Sequence, residues 1–170
     1  MARNVETCLR TFYSSDIYED LQSHSKRDWL EVKEFSSFRL DNIRINLVID
    51  CAVREGEDIH IYDWKTGKSL SEDLSIQLSC YALYAMEKWK VPPERLHITE
   101  FNVSVNKANW FVIGSEQVED TKGYIRGSIK DMQSLLLDPE RNVPLEEERF
   151  SKSENERISK RCNFRKVCMG

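Results

Sequence analysis

Between residues 43 and 65 the residue pattern leaves little choice of local structure. Ile43-Arg-Ile-Asn-Leu-Val-Ile-Asp-Cys-Ala-Val53 and Asp58-Ile-His-Ile-Tyr-Asp-Trp-Lys65 are rich in β-branched and aromatic residues, and Arg54-Glu55-Gly56-Glu57 between them is a turn signal. The segment reads as a β-hairpin. A two-residue Gly56-Glu57 loop sets Glu55 opposite Asp58 and, stepping back along both strands, Asp50 opposite Asp63. Directly opposed side chains share a face with Cβ atoms roughly 4.5–5.5 Å apart, where like charges repel. A divalent cation between the two carboxylates would turn repulsion into coordination, and hard oxygen ligands suit Mg²⁺ or Mn²⁺. Period two puts Lys65 on the Asp63 face and turns His60, Tyr62 and Trp64 the other way.

Ile59 and Ile61 share the Asp63 face, and an apolar strand has no folding reason to bury charge at its end. A solvated charged face is the plainer alternative for a bare Asp-x-Lys, which is a weak motif alone. A cation held there lowers the pKa of a bound water and polarises a phosphoryl oxygen, while the ammonium orients the nucleophile or offsets charge building on the phosphate. The chemistry expected is metal-assisted phosphodiester hydrolysis.

Downstream, Ser69-Leu70-Ser71-Glu72 has the form of a capping box, so a helix is expected from there to about Lys90, ahead of Pro92-Pro93. Within it Gln77, Tyr81, Tyr84 and Lys88 recur at helical spacing as one polar and aromatic stripe, with Leu74, Leu78, Ala82, Ala85 and Trp89 on neighbouring apolar ground. Upstream, residues 29–38 read as a strand and 39–42 as its turn. A Leu40-Asp41 loop would set Glu31 opposite Asp50 as a third carboxylate, although one bulge would reverse its facing. Residues 96–105 and 109–113 form a second hairpin. Residues 116–137 carry Val118, Ile125, Ile129, Met132 and Leu136 at helical spacing, an amphipathic helix closing over the sheet. Val5, Leu9, Phe12, Ile17 and Leu21 suggest one or two short N-terminal helices.

Asp50, the Asp63-Trp64-Lys65-Thr66-Gly67 strand end and Gln77-x-x-x-Tyr81 occur in the order and separation that resemble the PD-(D/E)XK nuclease superfamily in its RecB-like branch. That branch includes helicase–nuclease C-terminal domains and CRISPR-associated RecB-like exonucleases. The resemblance implies a restriction-endonuclease-like α/β sandwich with a mixed sheet of about five strands. It implies Asp50 and Asp63 as metal ligands completed by the Trp64 backbone carbonyl, Lys65 assisting the attacking water, and Gln77 and Tyr81 positioning the substrate. Glu31 fits a glutamate that the branch often carries on the preceding strand.

Cys162-x5-Cys168 resembles the tail of iron–sulfur members of the branch, where two further cysteines complete a [4Fe–4S] site. Ser159 stands where one of them is required, and Cys8, the only cysteine near the N-terminus, would make a third ligand. An intact cluster is therefore not expected. Two further departures are Leu47, where the branch usually has glycine, and His24, the only candidate for an upstream metal-binding histidine and one read as solvent-exposed. They point to a shortened relative or a fragment of a longer nuclease or helicase–nuclease.

At 170 residues, 40% hydrophobic and 32% charged, one domain spanning 1–170 is expected, with an irregular cysteine-containing tail over 139–170. No membrane-spanning pattern is visible, and five cysteines without framework spacing suit a reducing, cytoplasmic setting. A net charge of −4 argues against a nucleic-acid coat protein but not against a nuclease whose acidic site binds metal. Arg157, Lys160, Arg161, Arg165 and Lys166 could line a DNA path or balance Glu146-Glu147-Glu148. The leading expectation is a Mg²⁺- or Mn²⁺-dependent DNA nuclease in repair, recombination or DNA processing, more an exonuclease than an endonuclease, with a helicase as a further partner. The alternative is a weakened nuclease-like module that binds DNA or a partner protein.

Overall fold

A computed structural model describes residues 2–67, 75–150 and 155–163. The chain divides into two compact units, Met1–Tyr124 and Ile125–Gly170. In the first, helices α1 (Ala2–Tyr13) and α2 (Asp16–Ser23) precede strands β1 (Trp29–Glu31), β2 (Phe35–Leu40), β3 (Ile43–Val48), β4 (Cys51–Glu55) and β5 (Asp58–Lys65). Helix α3 (Ile76–Trp89) leads to β6 (Leu96–Asn102) and β7 (Lys107–Val112), and α4 (Ser115–Gln133) begins there. Five strands form one sheet in the order β1-β4-β5-β6-β7, antiparallel except for the β5–β6 pair. Parallel neighbours need a crossover, and α3 supplies it.

The β4–β5 hairpin has the register read from its loop, with Glu55 opposite Asp58 and Cys51 opposite Tyr62. Gly56 takes a φ of 60°, a left-handed conformation that costs glycine nothing. The expected 43–53 strand is broken, however. β3 pairs with β2 in a separate two-stranded sheet, and the chain bends at Ile49-Asp50 before entering the main sheet as β4. The 29–38 strand breaks in the same place, between β1 and β2, where Lys33 adopts a φ of 53° and its N–H donates to the carbonyls of Ile49 (3.0 Å) and Asp50 (3.3 Å). Asp50 thus stands one residue beyond the last ladder pair, and the direct opposition to Asp63 stops one step short.

Ile49, Ile59, Ile61, Leu78, Leu96 and Ile98 are fully buried, each contributing about 1.5–3 kcal/mol of transfer free energy. On the other sheet face Tyr62, Cys51, Val53 and Leu21 form a cluster flanked by Phe12, Ile17 and Trp64, as the strand alternation requires. Cys51 is buried there, its thiol pushed up to about 12 by desolvation and then by the charge of Asp50. Helix α3 starts later than the capping-box reading. Ser75 is its N-cap, accepting from the Leu78 N–H at 3.3 Å, and residues 69–72 lie outside the described residues.

The second unit holds the end of α4, an antiparallel pair β8 (Leu136–Asp138) and β9 (Val143–Pro144), a single 3₁₀ turn at Glu147–Arg149, and α5 (Glu156–Arg161) capped by the Asn155 side chain. Of the 139–170 stretch, the described residues hold β9, the 3₁₀ turn and α5. The expected 116–137 stripe is cut short as well. α4 ends at Gln133, Val118 and Ile125 are buried, but Met132 is exposed and Leu136 lies in β8. Among the described residues no helix is long and apolar enough to cross a membrane.

Candidate active site

Where β5 emerges from the core its last residues meet the bend at Asp50 and the first turns of α3. Asp63 is buried and Asp50 nearly so, with 2% and 8% of their surface exposed. One Asp50 oxygen, Oδ2, accepts from the Trp64 N–H at 2.8 Å, and the other, Oδ1, is ion-paired with the Lys33 ammonium. The Tyr81 hydroxyl lies 3.2 Å from Asp63 Oδ1 and 2.9 Å from the Val48 carbonyl, so its single proton is shared between them. Lys65 Nζ sits 2.6 Å from Asp63 Oδ2 as an ion pair but off hydrogen-bonding alignment. Among the described residues Oδ2 is consequently a buried oxygen with no hydrogen-bond donor.

Gln77 links these groups. Its Oε1 accepts from Lys65 Nζ at 2.9 Å, and its Nε2 donates to the Tyr81 hydroxyl oxygen at 2.7 Å. Helical spacing puts Gln77 and Tyr81 one turn apart on the same stripe, which is how one exposed amide reaches both a strand lysine and a buried phenol. Beyond Lys65 the backbone is tied to the β6 end. Val103 N–H donates to the Lys65 carbonyl at 2.9 Å, Ser104 Oγ to Thr66 at 2.9 Å and Asn102 Nδ2 to Gly67 at 2.9 Å.

Burial pushes the Asp63 carboxyl above the ordinary carboxylate range. Lys65 opposes that shift, and the nearby charge of Asp50 adds to it. Tyr81 is likewise held above its usual range by burial and then by Asp63, so it stays a neutral donor. A divalent cation fits this donor set. An undonated buried carboxylate oxygen beside a second carboxylate is the hard-oxygen pair that Mg²⁺ or Mn²⁺ takes, with waters filling the remaining positions.

The other expected ligands stand elsewhere. The β2–β3 loop is Asp41-Asn42, with Leu40 opposite Ile43, one residue later than the Leu40-Asp41 reading. The shift keeps the facing of Glu31 but sets it opposite Ala52 instead of Asp50. There its Oε2 accepts from the Tyr84 hydroxyl at 2.5 Å and from Lys88 Nζ at 2.9 Å. Tyr84 is thus a hydrogen-bonding residue. Among the described residues no group of three or more His, Cys, Asp or Glu is gathered to hold a metal ion, so Glu31 does not join the two aspartates. His24, expected to be solvent-exposed, lies at the end of α2 with only 9% of its side chain exposed, 3.9 Å from Asp20. Cys8 lies 3.4 Å from Ser104 Oγ, Cys162 is exposed at the end of α5, and Cys168 lies outside the described residues. Arg157, Lys160 and Arg161 are exposed, while Arg165 and Lys166 also lie outside them.

Two site residues were missed. Lys33 carries no motif, and its contact with Asp50 arises only from the break between β1 and β2. Glu100 is buried on β6 at the register position beside Asp63, on the same face. Only the parallel β5–β6 pairing reveals it.

Among known proteins, the family model for the PD-(D/E)XK nuclease superfamily matches residues 5–169. No curated protein matches the chain at a significant level. A solved structure titled "Crystal structure of SSO0001" overlaps 98% of this chain and 77% of its own, at 10% identity and a TM-score of 0.43, too loosely to bear on the site. The five-stranded mixed sheet crossed by α3, with the Asp50, Asp63 and Lys65 strand end beside it, is a restriction-endonuclease-like architecture. With the family model spanning nearly its whole length, the chain belongs to the PD-(D/E)XK nuclease superfamily.

Proposed function

We propose that this chain is a RecB-like, divalent-cation-dependent nuclease that hydrolyses DNA phosphodiester bonds, acting from strand ends in repair, recombination or DNA processing. The observation that carries the reading is the buried carboxylate of Asp63, set beside that of Asp50 with the Lys65 ammonium 2.6 Å from its Oδ2. Fold stability alone gives no reason to keep two buried carboxylates together.

Asp50 and Asp63, with the Trp64 carbonyl, would hold the cation. Bound there, it supplies Lewis acidity toward a phosphoryl oxygen and lowers the pKa of a bound water. The chain's own groups do the rest. Gln77 fixes the Lys65 ammonium from one side and Asp63 from the other, so Lys65 is oriented before substrate arrives and can steady the attacking water or the developing charge. Tyr81 donates to Asp63 Oδ1, and Lys65 stands against Oδ2. Asp50 is fixed by the Trp64 amide. Gln77 and Tyr81 act in this reading as positioning residues. The setting is cytoplasmic, and a helicase is the partner that the RecB-like likeness suggests.

Incubating the purified chain with single- and double-stranded DNA and Mn²⁺ tests the reading. EDTA-sensitive cleavage that is lost in Lys65→Ala is the expected result, and no cleavage above that of Lys65→Ala removes the catalytic claim. A second reading, a module that binds DNA without cutting it, draws on one point: among the described residues no group of three or more His, Cys, Asp or Glu is placed to hold a metal ion. Undiminished DNA binding with no Mn²⁺ binding would favour it.

A further inference from the structure

Lys33 is an ammonium that the catalytic reading leaves unused. Its backbone closes the break at Ile49-Asp50, and its side chain reaches the one Asp50 oxygen that Trp64 does not take. Across the site, Tyr81 lies on Asp63 Oδ1 and leaves Oδ2 without a donor. Each aspartate thus has a lysine against it, Lys33 on Asp50 Oδ1 and Lys65 2.6 Å from Asp63 Oδ2, and a cation held by the two residues would compete with both. The two lysines differ in how firmly they are held. The Lys65 side chain is 31% exposed and also donates to Gln77, whereas the Lys33 side chain is 65% exposed against 10% for its partner Asp50. Lys33 can withdraw into solvent at little cost, while Asp50 must keep a counter-charge in place.

We propose that Lys33 is an exchangeable counter-ion: it neutralises Asp50 in the metal-free protein, yields Asp50 Oδ1 to a divalent cation, and then pairs with a phosphate of bound DNA. The exchange rests on the metal-dependent reading above. It keeps Asp50 from standing uncompensated before a cation binds, and it delivers a positive charge to the substrate side once a cation has taken over that duty.

Titration calorimetry with Mn²⁺ on the wild-type chain, Lys33→Met and Lys33→Arg tests the first step. Removing the competing charge should tighten Mn²⁺ binding by about two- to fivefold in Lys33→Met, the worth of a partly exposed ion pair. Lys33→Arg, which keeps the charge, should match the wild type. Equal affinity in Lys33→Met overturns the exchange. The second step is read in a Lys65→Ala background with Mn²⁺, as the salt dependence of duplex DNA binding. Adding Lys33→Met should make the slope of log K against log salt shallower by about 0.9, one phosphate contact, and an unchanged slope also overturns the exchange. If the wild type and both variants take up no Mn²⁺, the metal-dependent reading itself falls and the exchange with it. Wild-type binding with unaltered Lys33→Met condemns the exchange alone.

Discussion

Helix α3 presents two polar clusters along one stripe, built from the same parts and put to different uses. At its start, Tyr81 and Lys65 surround the buried carboxylate of Asp63. One turn on, Tyr84 and Lys88 surround the buried carboxylate of Glu31, with Ser36 accepting or donating to Tyr84 at 2.9 Å. Each cluster leaves one buried carboxylate oxygen without a hydrogen bond among the described residues. The difference is whether a second carboxylate stands beside that oxygen. Glu31 is a lone carboxylate matched by Lys88, whose ammonium is pushed up by its bonds to Tyr84 and Glu31 even though burial works against it. Asp63 has Asp50 beside it, and burial raises its carboxyl against the opposing ammonium of Lys65, with the charge of Asp50 adding to the rise. The Glu31 cluster pins α3 to β1. The Asp63 cluster brings two carboxylates together, each with its own lysine, and the proposed cation site rests on that pair.

The sharpest way to break this comparison is to exchange the roles. Asp63→Asn and Lys65→Ala should each lower DNA cleavage by about 10²–10⁴-fold while the chain stays folded, checked by single-turnover cleavage and circular dichroism. Glu31→Ala should do the reverse. It strips the partner from Lys88 and Tyr84, so stability should fall by about 1–3 kcal/mol in urea unfolding, with cleavage by the folded protein changed by no more than a few-fold. Loss of Mn²⁺ binding in folded Glu31→Ala would show that the second cluster belongs to the site after all.

Acidity separates the clusters more gently. Because burial raises the Asp63 carboxyl, the folded protein holds that proton more tightly than the unfolded chain. The charged carboxylate therefore costs stability above the folded pKa, and the cost vanishes as pH falls through it. In EDTA, Asp63→Asn should be more stable than the wild type near neutrality, with the gap closing on acidification and gone below about pH 4. Thermal unfolding across pH reads this directly, and a gap indifferent to pH would contradict it. The smallest effects belong to the phenols. Tyr84→Phe should cost about 1 kcal/mol of stability with the cleavage rate intact, whereas Tyr81→Phe should lower the rate at comparable stability cost.

Sequence reading reached the β4–β5 register because Gly56 and strict alternation admit only one pairing, and it reached the Gln77–Tyr81 stripe because helical spacing is unambiguous there. It missed the bend that frees Asp50. That bend depends on Lys33 taking a left-handed φ and bonding two carbonyls far along the chain, and lysine advertises neither. Glu31 was misplaced by a loop displaced by one residue, which preserved its face but changed its neighbour. Glu100 was invisible because its position beside Asp63 comes from strand pairing across the α3 crossover, which local pattern does not encode.

The central claim is that Asp50 and Asp63 form one cation site. A crystal of the chain soaked in Mn²⁺ and read by anomalous scattering tests it most directly. The account predicts a single peak shared by Asp50 and Asp63, with Lys65 still on Gln77 and Lys33 withdrawn from Asp50. No peak between the aspartates, with the Lys33–Asp50 pair intact at saturating Mn²⁺, would contradict it.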